Sequence, residues 1–240
     1  MAWWETWFGA EYLGLYPHRD DDAARREAAF LASRLGPRKT PLLDLCCGPG
    51  RHFAGFLELG IDPIGLDYSL PLLALARGRA GAGRLVRGDM RDLPFSDGAF
   101  ASVVNLFTSF GYFAAERDDA RVVCEIRRVL ARGGRVLCDT VGVAHALARL
   151  VPEERVAGAD CEYRIRRRWD PDARRFEKQI EVCGGGTAET YRESVRAYTA
   201  PELTRLFEES GLRVEAAWGD FDGSAVADDS PRLILLASRP

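Results

Sequence analysis

The chain has 240 residues, 47% of them hydrophobic, enough to bury a complete α/β core. Its formal net charge of −3 provides no overall field to draw it to nucleic acid or to an anionic membrane. No apolar run approaches the roughly eighteen residues of a membrane span, and the acidic, tryptophan-rich N-terminus is not patterned as a signal peptide. Residues 1–35 precede the first strand as an aromatic and helical flap. Trp3, Trp4, Trp7, Phe8, Tyr12, Leu15 and Tyr16 form a stretch too costly to leave in water. It is expected to close over a ligand or to pack on a sheet edge. Asp20 to Leu35 then reads as a helix, with acids leading and Ala24, Ala28, Leu31 and Leu35 spaced for one face.

Residues 42–50, Leu-Leu-Asp-Leu-Cys-Cys-Gly-Pro-Gly, read as a strand that breaks into a two-glycine turn, with an amphipathic stretch from Arg51 to Leu59 behind it. Glycine permits positive φ and lets backbone lie against a ligand, and the helix that follows offers free N–H groups to an anion. Asp67 ends a second apolar segment, Pro63–Asp67, where a ribose-binding acid belongs in a nucleotide-binding βαβ unit. A dinucleotide loop would carry a third small residue, but here that position is Phe53. A phosphate loop would need Gly-Lys-Ser/Thr, which is absent. The remaining pattern suits a ligand with ribose, adenine and an amino-acid tail but no phosphate, namely S-adenosylmethionine. The acidic bias of Asp44, Asp67 and Asp89 suits its cationic sulfonium.

The alternation continues. Arg84–Met90 reads as a third strand with Asp89 near its end, residues 100–106 as a fourth, and Arg135–Asp139 as a fifth. Before the fifth lies a helix over 117–131 with Val122, Val123, Ile126, Val129 and Leu130 on one face, stopped by Gly133-Gly134. Such alternation implies a parallel sheet with right-handed crossovers. Residues 155–199 form an addition: Cys161–Trp169, Arg174–Cys183 and Glu189–Tyr198 alternate, separated by Asp170-Pro171-Asp172 and Gly184-Gly185-Gly186, and are expected to make a three-stranded antiparallel meander roofing the substrate site. Positions 153–200 hold ten basic and ten acidic residues, so the Arg164–Arg168 cluster reads as an ion-paired sheet face rather than an RNA-binding patch. The six cysteines, at 46, 47, 124, 138, 161 and 183, contain no C-x-x-C pair. They read as structural thiols in a reducing compartment, with cytoplasmic localisation expected and no metal site or disulfide framework.

The segments Leu43–His52, Gly65–Ser69, Gly88–Phe95, Asn105–Phe113 and Arg128–Gly134 together resemble class I S-adenosylmethionine-dependent methyltransferases. The closing stretch, with Tyr198–Leu203, Gly219–Ser224 and Asp229–Arg232, resembles a bacterial small-molecule subgroup. The resemblance implies one domain over 1–240: a Rossmann-like, doubly wound α/β sheet of seven strands in the order 3-2-1-4-5-7-6, the last antiparallel. It places the amino-acid tail at Gly48 and Gly50, the ribose at Asp67 and the adenine beside Asp89 and Met90. Asp44, Cys46, Arg51, His52, Tyr68, Ser69, Arg91, Asn105, Leu106 and Phe107 complete the expected cofactor site, with His52 near the ligand's carboxylate. The meander resembles that of sugar N,N-dimethyltransferases and glycine N-methyltransferases, which favours an amine over an oxygen acceptor.

Methyl transfer from a sulfonium is an in-line displacement, so positioning in dry surroundings supplies most of the catalysis, and a base matters only if the acceptor enters protonated. No triad is visible. Asn105, Thr108, Ser109 and Tyr112 after the fourth strand, Asp139 and Thr140 after the fifth, and His145 beyond are the groups expected near the reaction, with Tyr112, His145 and Asn105 the catalytic candidates. His18 is a weaker candidate base. No Asn-Pro-Pro-Tyr motif follows the fourth strand. Asp220, Asp222 and Arg232 read as ion pairs fixing the Gly219–Arg232 loop or as substrate anchors. The expected partner is a small molecule, and the chain a monomer or homodimer. The alternatives are an RNA or protein methyltransferase, or a protein that binds S-adenosylmethionine without turnover.

Overall fold

The computed structural model describes residues 2–16, 21–37, 39–80, 84–184 and 187–240. His18, Asp20, Gly185 and Gly186 lie outside them. Two short helices, α1 (Trp3–Trp7) and α2 (Ala10–Leu15), and the longer α3 (Asp21–Leu35) precede the sheet. There follow β1 (Leu42–Leu45), α4 (Phe53–Glu58), β2 (Pro63–Asp67), α5 (Leu70–Ala80), β3 (Leu85–Arg87), β4 (Phe100–Asn105), α6 (Glu116–Val129), β5 (Leu130–Val141) and α7 (Val143–Ala148). A second set of strands, β6 (Glu153–Ala157), β7 (Glu162–Asp170), β8 (Arg175–Gly184) and β9 (Thr187–Arg196), leads to α8 (Ala200–Glu209), β10 (Arg213–Trp218) and β11 (Arg232–Ser238).

The main sheet has the order β3-β2-β1-β4-β5-β11-β10. Strands β1 to β5 are parallel, and β11 runs antiparallel to both β5 and β10. This is the expected seven-stranded, doubly wound architecture with a reversed last strand. Its strands are apolar on both sides because both faces are covered. On one face Leu43, Leu45 and Val103 pack with Val122, Val123 and Ile126 of α6 and with Leu203 and Phe207 of α8. On the other, Leu42, Val104 and Leu137 pack with Ala28, Leu31 and Leu35 of α3 and with Phe56 of α4.

The insertion is an antiparallel sheet of four strands, β6-β7-β8-β9, rather than three. The extra strand, Glu-Glu-Arg-Val-Ala, has no apolar alternation to announce it. It pairs along the edge of β7, where Glu154–Arg167, Glu153–Arg166 and Arg155–Glu162 form ion pairs at 2.6, 3.6 and 3.7 Å. The same register sets Arg155 opposite Arg164, a like-charge pair relieved by Glu162, which lies 3.7 Å from Arg155 and 2.7 Å from Arg164. This sheet packs on the N-terminal helices: Trp7 and Leu15 are buried with Tyr163, Ile165 and Ile180. The Trp7 indole donates to Glu193 at 2.6 Å, and the Lys178 ammonium donates to the Tyr16 hydroxyl at 2.6 Å. The aromatic stretch thus meets its need for burial between the two sheets.

Candidate active site

The first strand ends in a tight turn that determines the site. Cys46 takes a left-handed φ of 62°, and Gly48 and Gly50 follow at 56° and 72°. Asp67, at the end of β2, accepts from the Gly48 N–H at 2.9 Å through Oδ2 and from the Ser69 N–H at 2.8 Å through Oδ1. One carboxylate therefore ties the glycine turn to the start of α5. Each of its oxygens keeps acceptor capacity, since a carboxylate takes about four hydrogen bonds. The two glycines differ. A Cβ at Gly48 would meet nothing within 4 Å, whereas one at Gly50 would lie 3.1 Å from Phe53 and 3.2 Å from Ala76. Gly48 borders open space, and Gly50 lets α4 and α5 close on the turn.

Beside the turn, at the carboxyl ends of β1, β2 and β4, lies a cavity of about 380 Å³. The main sheet contributes Asp44, Cys46, Gly48, Arg51, His52, Asp67, Tyr68, Asp89, Met90, Leu106, Phe107, Ser109 and Tyr112 to its lining. The facing wall comes from the N-terminal flap through Trp4, Phe8, Tyr12, Leu13 and Tyr16. The rings pack on one another: Phe8 lies 5.0 Å from Tyr12 and 5.7 Å from Tyr112, and Trp4 lies 4.8 Å from Tyr68.

The carboxylates are individually tuned. Burial raises Asp44 to about 6 with the nearby Asp67 charge adding to it, while His52 and Arg51 oppose the shift. Its Oδ2 is buried without a hydrogen-bond partner. Burial also raises Asp67, against the pull of the Ser69, Gly48 and Tyr68 N–H groups. Asp89 is likewise penalised by burial, yet its hydrogen bonds and ion pair with Arg91, 2.6 Å at the closest, hold it below the ordinary carboxylate range. Glu27 on α3 accepts from Arg51 and contacts His52, each at 2.7 Å, fixing both side chains at the cavity's edge.

Eight residues expected at or near the site stand outside the lining: Gly50, Ser69, Arg91, Asn105, Thr108, Asp139, Thr140 and His145. Asp139 is buried against Arg232 and the Phe107 N–H, and the Thr140 hydroxyl donates to the Leu233 carbonyl at 3.4 Å. Gly50 serves helix packing, as above. The Ser69 hydroxyl accepts from the Leu72 N–H at the start of α5 and donates to the Phe8 carbonyl at 2.6 Å, so it joins the flap to the sheet. Arg91 turns back on Asp89 and lies 4.3 Å over the Phe113 ring. Asn105 is fully buried, and its amide donates to the Leu45 carbonyl at 3.1 Å, bridging β4 to β1. His145, on α7, lies 3.0 Å from the Asp229 carbonyl, away from the cavity. Among the described residues the antiparallel sheet supplies nothing to the lining, so it does not roof the cavity. It backs the flap that does. Leu72, Leu75 and Arg79 of α5 also line the cavity. Their spacing on one helix face is indistinguishable from a core stripe in sequence. Among the described residues no group of three or more His, Cys, Asp or Glu side chains is placed to hold a metal, and no helix is long and apolar enough to cross a membrane.

Residues 42–134 match the methyltransferase domain family. The chain is 33% identical over 203 residues to a demethylmenaquinone methyltransferase of Thermus thermophilus, covering 79% of this chain and 81% of that one. It is 31% identical over 229 residues to a dTDP-3-amino-3,6-dideoxy-alpha-D-glucopyranose N,N-dimethyltransferase of Streptomyces fradiae, covering 86% and 84%. The crystal structure of an S-adenosylmethionine-dependent methyltransferase from Clostridium acetobutylicum shares the fold, with a TM-score of 0.79 at 16% identity over 95% and 96% of the two chains. The chain belongs to the S-adenosylmethionine-dependent methyltransferases.

The methyltransferase's own geometry fits that cofactor. The orphaned Asp44 Oδ2 is an acceptor waiting for a donor. The missing Cβ of Gly48 leaves backbone accessible, and Asp67 is oriented by two N–H groups with acceptor capacity to spare. A sulfonium suits a cavity lined by Asp21, Asp44, Asp67 and Asp89 and by electron-rich rings.

Proposed function

We propose that this methyltransferase acts on a small-molecule amine. The reading is supported above all by the likeness to the Streptomyces fradiae aminosugar N,N-dimethyltransferase, which covers 86% of this chain. The acidic and aromatic cavity agrees, because an amine reaches it as an ammonium ion or as a neutral base, and both tolerate electron-rich surroundings.

S-adenosylmethionine, when bound, supplies a methyl group activated by its positive sulfur. In this reading Asp67 takes the ribose hydroxyls, the Gly48 turn with Asp44, Arg51 and His52 takes the amino-acid tail, and Asp89 and Met90 border the adenine. The flap of residues 1–35 closes the acceptor end and excludes water through Trp4, Phe8, Tyr12 and Tyr16, while the antiparallel sheet β6–β9 backs it. Burial pushes the Tyr112 phenol well above its ordinary range, so it keeps its proton and orients the acceptor by hydrogen bonding rather than acting as a base. A neutral amine carries its own lone pair, and the proton released after transfer leaves with solvent.

The competing RNA reading is disfavoured by the ion pairing of the insertion's arginines. Arg164, Arg166, Arg167 and Arg168 each contact a glutamate at 3.0 Å or less. Incubation with methyl-labelled S-adenosylmethionine and matched panels of amines, alcohols, phenols and carbon nucleophiles tests the proposal. Label transferred to amines supports it, and label confined to oxygen or carbon acceptors rejects it. Binding of tRNA that weakens steeply with salt would favour the RNA reading.

A further inference from the structure

Tyr112 and Phe113 line the cavity from the loop between β4 and α6. The antiparallel sheet stays outside the cavity but takes hold of this loop. Arg175, on β8 and only 7% exposed, donates to the carbonyls of three consecutive loop residues: Gly111 at 3.1 Å, Tyr112 at 3.3 Å and Phe113 at 2.9 Å. It also donates to Ser194 on β9, to the hydroxyl at 2.7 Å and to the carbonyl at 2.6 Å. Directly across the ladder stands Arg196. Its N–H donates to the Gly111 carbonyl at 2.8 Å and its Nη2 to the Ala114 carbonyl at 2.8 Å.

Two arginines facing each other weaken a ladder. Here the repulsion is offset by the carbonyls they bind and by the buried Asp119, 3.4 Å from Arg196 Nε. The approach is close enough that a Cβ on Gly111 would lie 2.5 Å from the Arg196 carbonyl oxygen. A buried guanidinium that reads three successive carbonyls fixes the direction of each peptide plane, and so fixes where the side chains of that segment point.

We propose that Arg175 is a positioning residue for the methyl acceptor: by holding the carbonyls of residues 111–113 it sets Tyr112 and Phe113 against the bound acceptor. The antiparallel sheet thus acts on the reaction through this loop rather than by touching substrate. The inference rests on the reading that these two rings face the acceptor.

The test uses the full-length chain with Arg175→Lys and Arg175→Met. Lysine keeps the charge but lacks the planar fork. Three quantities are measured: S-adenosylhomocysteine affinity by calorimetry, amide hydrogen exchange across residues 107–115, and kcat and KM for the amine that wild type methylates fastest. Arg175→Lys is expected to raise the amine KM about tenfold, within the roughly hundredfold loss that a misplacement of about 1 Å can cause. Exchange over 110–115 should accelerate, and S-adenosylhomocysteine affinity should stay within about threefold. A folded variant with unchanged KM and unchanged exchange overturns the proposal. So does a lower melting temperature with KM unchanged, which would make Arg175 merely structural. Should Arg175→Met fail to fold, the lysine variant decides. If wild type methylates no amine, the amine reading fails separately, and exchange alone judges the clamp: unaltered exchange at 110–115 rejects it.

Discussion

Arg232 grips Asp139 with two parallel hydrogen bonds, Nε to Oδ1 and Nη2 to Oδ2, both 2.5 Å, and the carboxylate is completely buried. The pair locks the start of β11 to the end of β5. It also reaches the cavity wall, because Asp139 Oδ2 accepts the Phe107 N–H at 2.8 Å. Phe107 and the next residue, Thr108, both hold left-handed conformations, φ 59° and 60°, which side chains adopt only when their surroundings impose them. Arg232, expected either to fix its own loop or to anchor substrate, pairs instead with a carboxylate on β5, while Asp220 and Asp222 accept from the Phe221 and Ser224 N–H groups of the loop. Arg232→Met leaves a buried carboxylate unpaired and is expected to cost about 3–5 kcal/mol in urea denaturation. Adding Asp139→Asn should recover part of that loss. A single-variant cost below about 1 kcal/mol would show that the pair holds nothing.

Asp67→Asn keeps the shape of the side chain but replaces one acceptor oxygen by a donor. Charge-assisted hydrogen bonds are worth about 1.5–3 kcal/mol each, so affinity for S-adenosylhomocysteine should fall at least about tenfold. Calorimetry that returns the wild-type constant would remove Asp67 from the ribose site.

The two turn glycines should separate function from stability. Gly48→Val places a side chain where only open space lies, so cofactor binding should be lost while stability falls by about 1–2 kcal/mol for the left-handed φ. Gly50→Val meets Phe53 and Ala76 at 3.1–3.2 Å through its Cβ alone and adds a steric penalty to the same backbone cost. It should be the more destabilised protein. Equal effects of both substitutions on melting temperature and on binding would contradict this division.

Asp44 should impose a pH dependence. Its carboxyl is raised from 3.8 to about 6 in the fold, so between those values the native state holds more protons than the unfolded chain. Stability is then greatest below the lower value and declines as pH rises through the upper one, by about 3 kcal/mol at most for a shift of roughly two units. Asp44→Asn abolishes this decline. Its advantage over wild type should be near zero at about pH 4 and positive at about pH 7.5, with weaker S-adenosylhomocysteine binding in exchange. A stability difference that is flat with pH would refute the assignment.

The parts of this protein that local chemistry dictates were legible in its sequence. Period-two and continuous apolar runs marked β1, β2, β4 and β5, and the glycine turn with an acid at or near the end of each of the first three strands marked the cofactor end. Once strands and helices alternate, right-handed crossovers bring those strand ends to one edge. The acids Asp44, Asp67 and Asp89 therefore converge although they lie far apart in the chain.

Tertiary structure decided what depends on partners distant in the chain. Asn105 follows the apolar run of β4 much as Asp67 follows that of β2, yet its amide is engaged by the Leu45 carbonyl and faces the sheet instead of the cavity. The aromatic flap gave no sign of which surface it would cover until the antiparallel sheet took one side and the cavity the other. Strand β6 carries no alternation and forms by pairing along the edge of β7, from Glu153 opposite Arg166 to Ala157 opposite Glu162. Arg175 looked like one member of a balanced charged face, and only packing shows it holding three carbonyls sixty-two to sixty-four positions earlier. Periodicity records which residues avoid water. It does not record which buried polar group will meet which partner, because that pairing is settled only when the layers close.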